Sequence, residues 1–304
     1  MTTRVANFGQ HERNITHILN AQRRLNVGQI QLSSGRKSED YTGIASDVRR
    51  LVNVKTAYVR ADQYIDNNNL VDQRLQIMES SVAQIFDVLS NFKTLLVNGL
   101  NANNSADLAM PTQAQTLLNE VASLLNVQDD GRYLFAGTRT DTAPVDQTGL
   151  PATYTVPTVD GDAIGYYQGD TTQLTIRADV NFSVTYGITA GETGFERAIR
   201  ALHEIVIGPP NDRATMEDSL RVVSQAIDDV SDIRTSIGAS RAALENVNRR
   251  LDEFKLYSEK TIGDLQNADI TEVITRMNAD QVTVEAAFTT LARLSQLSLT
   301  RFLQ

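Results

Sequence analysis

The sequence predicts a mainly α fold: an elongated antiparallel helical bundle, or coiled coil, formed by the N- and C-terminal halves, with a small β-rich domain between them. Three observations predict it. All six prolines, at Pro111, Pro144, Pro151, Pro157, Pro209 and Pro210, lie in the middle of the chain, leaving two long outer stretches that nothing forbids from being helical. Apolar residues in those stretches recur every seven positions. Between about Thr138 and Thr193 the texture changes to Gly, Pro, Thr, Asp and Tyr, as expected of turns and short strands.

Residues 1–43 form the first predicted element, an N-terminal assembly helix that would pair with residues 266–304. Its stretch "NITHILNAQRRLNVGQIQLSSG" spaces Ile15, Ile18, Leu19, Leu25 and Leu32 as a helix does, yet dilutes them with Asn, Gln and Arg. Residues 44–136 form the first half of a helical core. There Leu75, Val82, Leu89 and Leu96 make one seam row and Met78, Ile85 and Phe92 its companion, while Ala61 and Asn68 extend the first row upstream. Ala114, Leu117, Leu118, Val121, Leu124 and Leu125 then trace a shorter amphipathic helix.

Residues 137–193 are the predicted β-rich domain. Alternation in Leu174, Ile176 and Ala178, and again in Phe182, Val184 and Tyr186, marks two half-buried strands, and "VDGD" at Val159 to Asp162 reads as a hairpin turn. The acids Asp160, Asp162, Asp170, Asp179 and Glu192 are expected to face solvent. Residues 194–265 return to helix. One segment runs from about Phe195 to Ile207 and is stopped by "GPPND"; a longer one carries Met216, Val223, Val230, Ile237, Leu244 and Leu251 in one row, broken by Ser258, with Ile233, Val247 and Phe254 in the companion row.

Residues 266–304 close the layout with a C-terminal assembly helix bearing Ile270, Val273, Ile274, Met277, Val284, Phe288, Leu291, Leu294 and Phe302. Neither terminal segment has enough large apolar side chains to offset the entropy of ordering its own backbone. Both ends are therefore expected to be loosely ordered in a monomer and helical once packed in an assembly, with these residues as the interface.

Composition narrows the function. The net charge of −9 and the pI near 4.9 speak against binding nucleic acid or anionic lipid. No Cys is present, which removes disulfides, thiolate nucleophiles and Cys-ligated metals. There is no apolar run long enough for membrane insertion, and the first thirty residues lack the apolar core of a secretory signal. His11 and His17, six apart, fall on different helix faces and would not share a metal; His203 is expected on a helix surface beside Glu204. No phosphate loop, dinucleotide fingerprint or nucleophile elbow occurs, so no catalytic, metal or cofactor-binding residue is assigned and no enzyme is expected.

Residues Leu25 to Asp47 resemble the N-terminal signature of the flagellin superfamily. Leu32, Ser33, Ser34 and Gly35 match it directly and Asp40, Gly43, Ile44 and Ala45 loosely, with Asp40-Tyr41-Thr42 replacing the usual Asp-Asp-Ala-Ala run. Tyr133, Leu134, Phe135 and Gly137, then Tyr167, Gly169 and Asp170, and finally Leu297, Ser298, Leu299 and Leu303 resemble the hook-filament junction branch of that superfamily. The resemblance implies an extracellular structural subunit of the flagellum's axial tube, exported by the flagellar type III apparatus without a cleaved signal peptide. Its implied partners are further copies of itself in a tubular assembly, hook-associated protein 1, flagellin and an export chaperone. A filament flagellin is the alternative reading, and a tip protein of a virulence secretion system a distant one.

Overall fold

The computed structural model describes residues 2–101, 109–210 and 212–302. Among them are six α-helices: α1 (Thr2–Ser34), α2 (Val48–Asn101), α3 (Met110–Leu125), α4 (Thr193–Ile207), α5 (Arg213–Gln266) and α6 (Ile270–Phe302). Two antiparallel hairpins accompany them: β1 (Gln128–Asp129) with β2 (Arg132–Tyr133), and β3 (Leu174–Asp179) with β4 (Phe182–Tyr186). The chain divides into two compact units, residues 61–252 and residues 1–60 with 253–304. Both long helices, α2 and α5, contribute to each.

The unit of residues 61–252 holds a continuous apolar core. Every member of the seam read in α2 from Leu75 to Leu96 is buried, as are Met216, Val223, Val230, Ile237, Leu244 and Leu251 of α5. Removing such side chains from water is the main stabilising term, roughly 1.5 to 3 kcal/mol for each large one. Ala114, Leu118, Val121 and Leu125 of α3 join the same core, as do Phe195, Ile199 and Leu202 of α4, and α3 packs against α4. Asn68 continues the seam as a buried polar member, and its amide explains why. Nδ2 donates to the carbonyl of Ala178 in β3 at 3.1 Å and to Asn248 Oδ1 of α5 at 2.8 Å, pinning the β3–β4 hairpin to both long helices.

Local chemistry sets the connections. Asp130 and Gly131 both have positive φ, +49° and +72°, as a two-residue hairpin turn between β1 and β2 requires. Asn126, just past α3, bonds the backbone of Val145 from both ends of its side-chain amide, accepting at 2.9 Å and donating at 3.0 Å. The two strands expected at residues 174–178 and 182–186 are present and paired, with a register irregularity between Arg177 and Asp179. The central segment is otherwise built of turns and short 3₁₀ helices, at Gln147–Gly149 and Ile164–Tyr166.

One expectation for this region needs correction. "VDGD" forms a turn leading into the 3₁₀ helix at Ile164–Tyr166, and the turn of the β3–β4 hairpin falls instead at Val180 and Asn181. Asp160 faces solvent as expected, with its side chain 52% exposed, and is also an ion-pair partner. It receives Arg197 Nη2 at 2.6 Å and Arg200 Nη2 at 2.7 Å, and Arg197 holds its carboxyl down at about 2. Arg200, 1% exposed, also bonds Glu196 Oε1 at 2.9 Å and Thr158 Oγ1 at 2.9 Å. Asp218 of α5 accepts from both the backbone N–H and the hydroxyl of Thr158, at 2.8 and 2.9 Å. This cluster of charges fastens residues 158–163 to α4 and α5. Alternation of strand residues could not announce it, because its members come from three separate segments.

Candidate assembly surface

The second unit is organised by α1 and α6, which pack against each other. Helix α1 ends where its sequence tells it to. Gly35 takes φ +67° and donates its N–H to Gln31 O at 2.9 Å, while Ser33 and Ser34 hydroxyls both donate to Ile30 O. The Leu-Ser-Ser-Gly motif is thus a helix stop, and the residues just beyond it form a clasp. Gly35 O accepts from Ala268 N at 3.0 Å, Lys37 N donates to Gln266 O at 2.8 Å, and Arg36 pairs antiparallel with Asn267. Asp269 then caps α6, its Oδ1 accepting from Thr271 N at 2.9 Å and Glu272 N at 3.2 Å.

Between the helices lies a narrow seam. Ile18, Ala21 and Gly28 of α1 are buried, and Leu25 is half-buried; on α6, Val273 and Asp280 are buried and Met277, Val284 and Leu291 half-buried. Gly28 is there for space: a Cβ at that position would lie 2.5 Å from Met277 Cγ. One turn earlier, Arg24 grips Asp280 with two nitrogens, Nη2 to Oδ1 at 2.6 Å and Nε to Oδ2 at 3.1 Å. That grip is the first cause of the lowered Asp280 carboxyl and of the raised Arg24 guanidinium. Arg276 Nη2 adds a bond to Gln31 Oε1 at 3.1 Å.

The residues assigned to an assembly interface from sequence therefore divide. Ile18, Leu25, Val273, Met277, Val284 and Leu291 are wholly or partly covered within the chain. Ile15, Leu19, Leu32, Ile270, Ile274 and Phe288 are exposed; Leu19 keeps 54% and Phe288 48% of its surface in water. Leu294 and Phe302 belong to α6, but their side chains lie outside the described residues. Val27, Ile30 and Val282 are exposed as well and enlarge the apolar surface. The long helices add more in this unit: Val52 and Val59 on α2, and Leu256 and Tyr257 on α5, are exposed, as is Phe254, whose companion-row position had implied burial. These exposed apolar side chains make the unit the candidate assembly surface.

Sequence reasoning missed Gly28 and the Arg24–Asp280 pair. A glycine inside a helical pattern was the available signal for the first. For the second, the carboxylate interrupts an apolar row opposite a basic pair, a pattern legible only once the register of the two helices is known. His203, expected on a surface, is half-buried, its Nδ1 3.2 Å from Tyr154 OH, and its neighbour Glu204 is fully buried. Among the described residues no group of His, Asp or Glu could hold a metal ion, and no helix is long and apolar enough to cross a membrane.

Comparison with known proteins places this architecture. The family profile of the bacterial flagellin N-terminal helical region matches residues 9–140, and that of the bacterial flagellin C-terminal helical region matches residues 220–303. The chain is 22% identical to flagellar hook-associated protein 3 of Escherichia coli K12, over 95% of this chain and 96% of that protein. Its fold is similar to that of a Vibrio parahaemolyticus protein provisionally named as a flagellar hook-associated protein, with a TM-score of 0.61 and 20% identity over 75% of this chain and 99% of the other. It is also similar to the flagellar junction protein of Legionella pneumophila, with a TM-score of 0.52 and 12% identity over 72% and 99% of the two chains.

Proposed function

Because this chain belongs to the bacterial flagellin family, whose N- and C-terminal helical regions it carries together, we propose that it is the axial subunit joining the flagellar hook to the filament. It is a structural component of the flagellum, and its relatives are structural flagellar proteins. The observation that carries the finer reading is the clasped pair α1–α6, with its seam closed inside the chain and Ile15, Leu19, Ile274 and Phe288 left in water. A subunit built this way presents a two-helix wedge whose outer face is completed by its neighbours. The names of the relatives, hook-associated protein 3 and flagellar junction protein, favour the junction over the filament itself.

In this reading the chain leaves the cell through the flagellar type III apparatus with an export chaperone, and meets hook-associated protein 1 on one side and flagellin on the other. The test is a deletion strain. Hooks without filaments and flagellin spilled into the medium are the expected result; normal filaments lacking one major band would identify a filament subunit instead. Complementation with Leu19→Asp or Phe288→Asp should fail to restore filaments, while the purified variants keep wild-type helix content and stability within about 0.5 kcal/mol, because both sites are exposed in the isolated chain.

A further inference from the structure

Helices α4 and α5 meet at a buried carboxyl. Glu204 of α4 is 2% exposed, and Ser219 of α5 is fully buried. Ser219 Oγ lies 3.0 Å from the carbonyl oxygen of Ala201 and 3.1 Å from Glu204 Oε2, while Glu204 Oε1 has no hydrogen-bond partner. Those two contacts count protons. A serine hydroxyl has one hydrogen and a backbone carbonyl only accepts, so with that hydrogen on Ala201 O the contact to Oε2 is a hydrogen bond only when the carboxyl supplies a proton of its own. A neutral Glu204 thus satisfies Ala201 O, Ser219 Oγ and Oε2 together, and leaves Oε1 as the uncharged carbonyl oxygen of an acid. An ionised Glu204 competes with Ala201 for one hydrogen and keeps a charged oxygen dry, which is far more costly.

The surrounding elements do not rescue the ionised form. Arg200, on the same helix, is turned to Glu196 and Asp160, and Arg221 of α5 to Asp218. Asp218, bonded by Thr158 as well, brings a like charge, and Asp212 is taken up by the N–H and hydroxyl of Thr215. Burial lowers His203 and raises the Tyr154 hydroxyl, so both are uncharged near neutrality. Helix α3, packed against α4, carries one acid, the exposed Glu120. Burial, and after it Asp218, raises the Glu204 carboxyl to about 7. Relief lies beside it. Glu204 borders a cavity of about 470 Å³ whose other wall includes Thr153, Tyr154 and Val156. With Oε1 closed off from solvent, the ionised group reaches water only by turning toward that space. Tyr154 stands in the way, held to α4 by its ring, edge-on to His203 with centroids 5.6 Å apart, and by its OH, 3.2 Å from His203 Nδ1. We propose that Glu204 is a proton-operated latch: neutral, it joins α4 to α5 through Ser219; ionised, it turns into the cavity, takes up water and displaces Tyr154 from His203.

The experiment uses the full chain, labelled with ¹³C in its glutamate carboxyls and its histidine and tyrosine rings and followed by NMR from about pH 4 to pH 8.5. The Glu204 carboxyl should titrate above about pH 6, and the cross-peak between the His203 and Tyr154 rings should fall by about half at that midpoint and vanish by the alkaline end. Glu204→Gln, which keeps the shape of the neutral side chain and cannot ionise, should hold the cross-peak undiminished across the range. His203→Gln should leave the raised Glu204 midpoint in place, which separates the carboxyl from the imidazole. A midpoint at the ordinary 4.5, a cross-peak that survives the titration in the wild type, one that fades equally in Glu204→Gln, or loss of the raised midpoint in His203→Gln would each overturn the proposal.

Discussion

Arg200 is buried to the last percent and yet fully engaged, with Glu196, Asp160 and Thr158 around its guanidinium. A charge so placed is held by its partners, and those partners are equally dependent on it. Arg200→Met should cost about 3 to 5 kcal/mol in urea unfolding, because Glu196 is then left buried and uncompensated. Asp160 titrates in the ordinary acid sense: its carboxyl is held at about 2, so the stability it contributes is complete above its usual 3.8 and is lost as pH falls toward 2. Glu204 does the opposite. Burial raises it from 4.5 to about 7, so the native state keeps a proton the unfolded chain has already released, and stability declines as pH rises between those values. Glu204→Gln should therefore stabilise the protein little at pH 5 and by up to about 3 kcal/mol at pH 8, read from paired urea melts. None of these roles was visible in the sequence, where both carboxylates look like ordinary surface acids; tertiary proximity creates them.

At the scale of the element, periodicity carried much further. The heptad rows of α2 and α5 located the buried face of the 61–252 unit residue by residue, because a seam must repeat every seven positions to stay turned toward its partner. The same reasoning faltered in the other unit. Phe254 obeys the row but is exposed, and Met277, assigned to contacts between subunits, lies against Gly28 of its own chain. Periodicity identifies an apolar face; what covers that face depends on which helices are near. Gly28 is the sharpest test of the α1–α6 pairing. Gly28→Val should push Met277 aside and cost about 1 to 3 kcal/mol of local stability, seen as faster amide exchange in α1 and α6 with the core of residues 61–252 unchanged.

Taken as a whole molecule, the chain divides its charge as unevenly as its apolar surface. Residues 1–60 and 253–304 hold 15 Lys and Arg against 11 Asp and Glu, whereas residues 61–252 hold 13 against 26. The overall −9 conceals a mildly basic unit and a strongly acidic one. Among the described residues, the basic unit is the one with an open apolar face over a thin seam, so its local opening should be the easier of the two. Limited proteolysis of the dilute protein should remove roughly the first forty and the last thirty-five residues and spare a fragment from about Ile44 to Leu265. Uniform resistance along the chain would mean that α1 and α6 need no neighbours. The clasp beyond Gly35 adds a constraint of timing. Arg24 and Asp280 are separated by 256 positions, and Lys37 reaches Gln266 across almost as many, so this unit cannot close until nearly the entire polypeptide is present. A polypeptide emerging by either end would travel with that end unfastened, and the last helix to arrive would act as the key that locks the first.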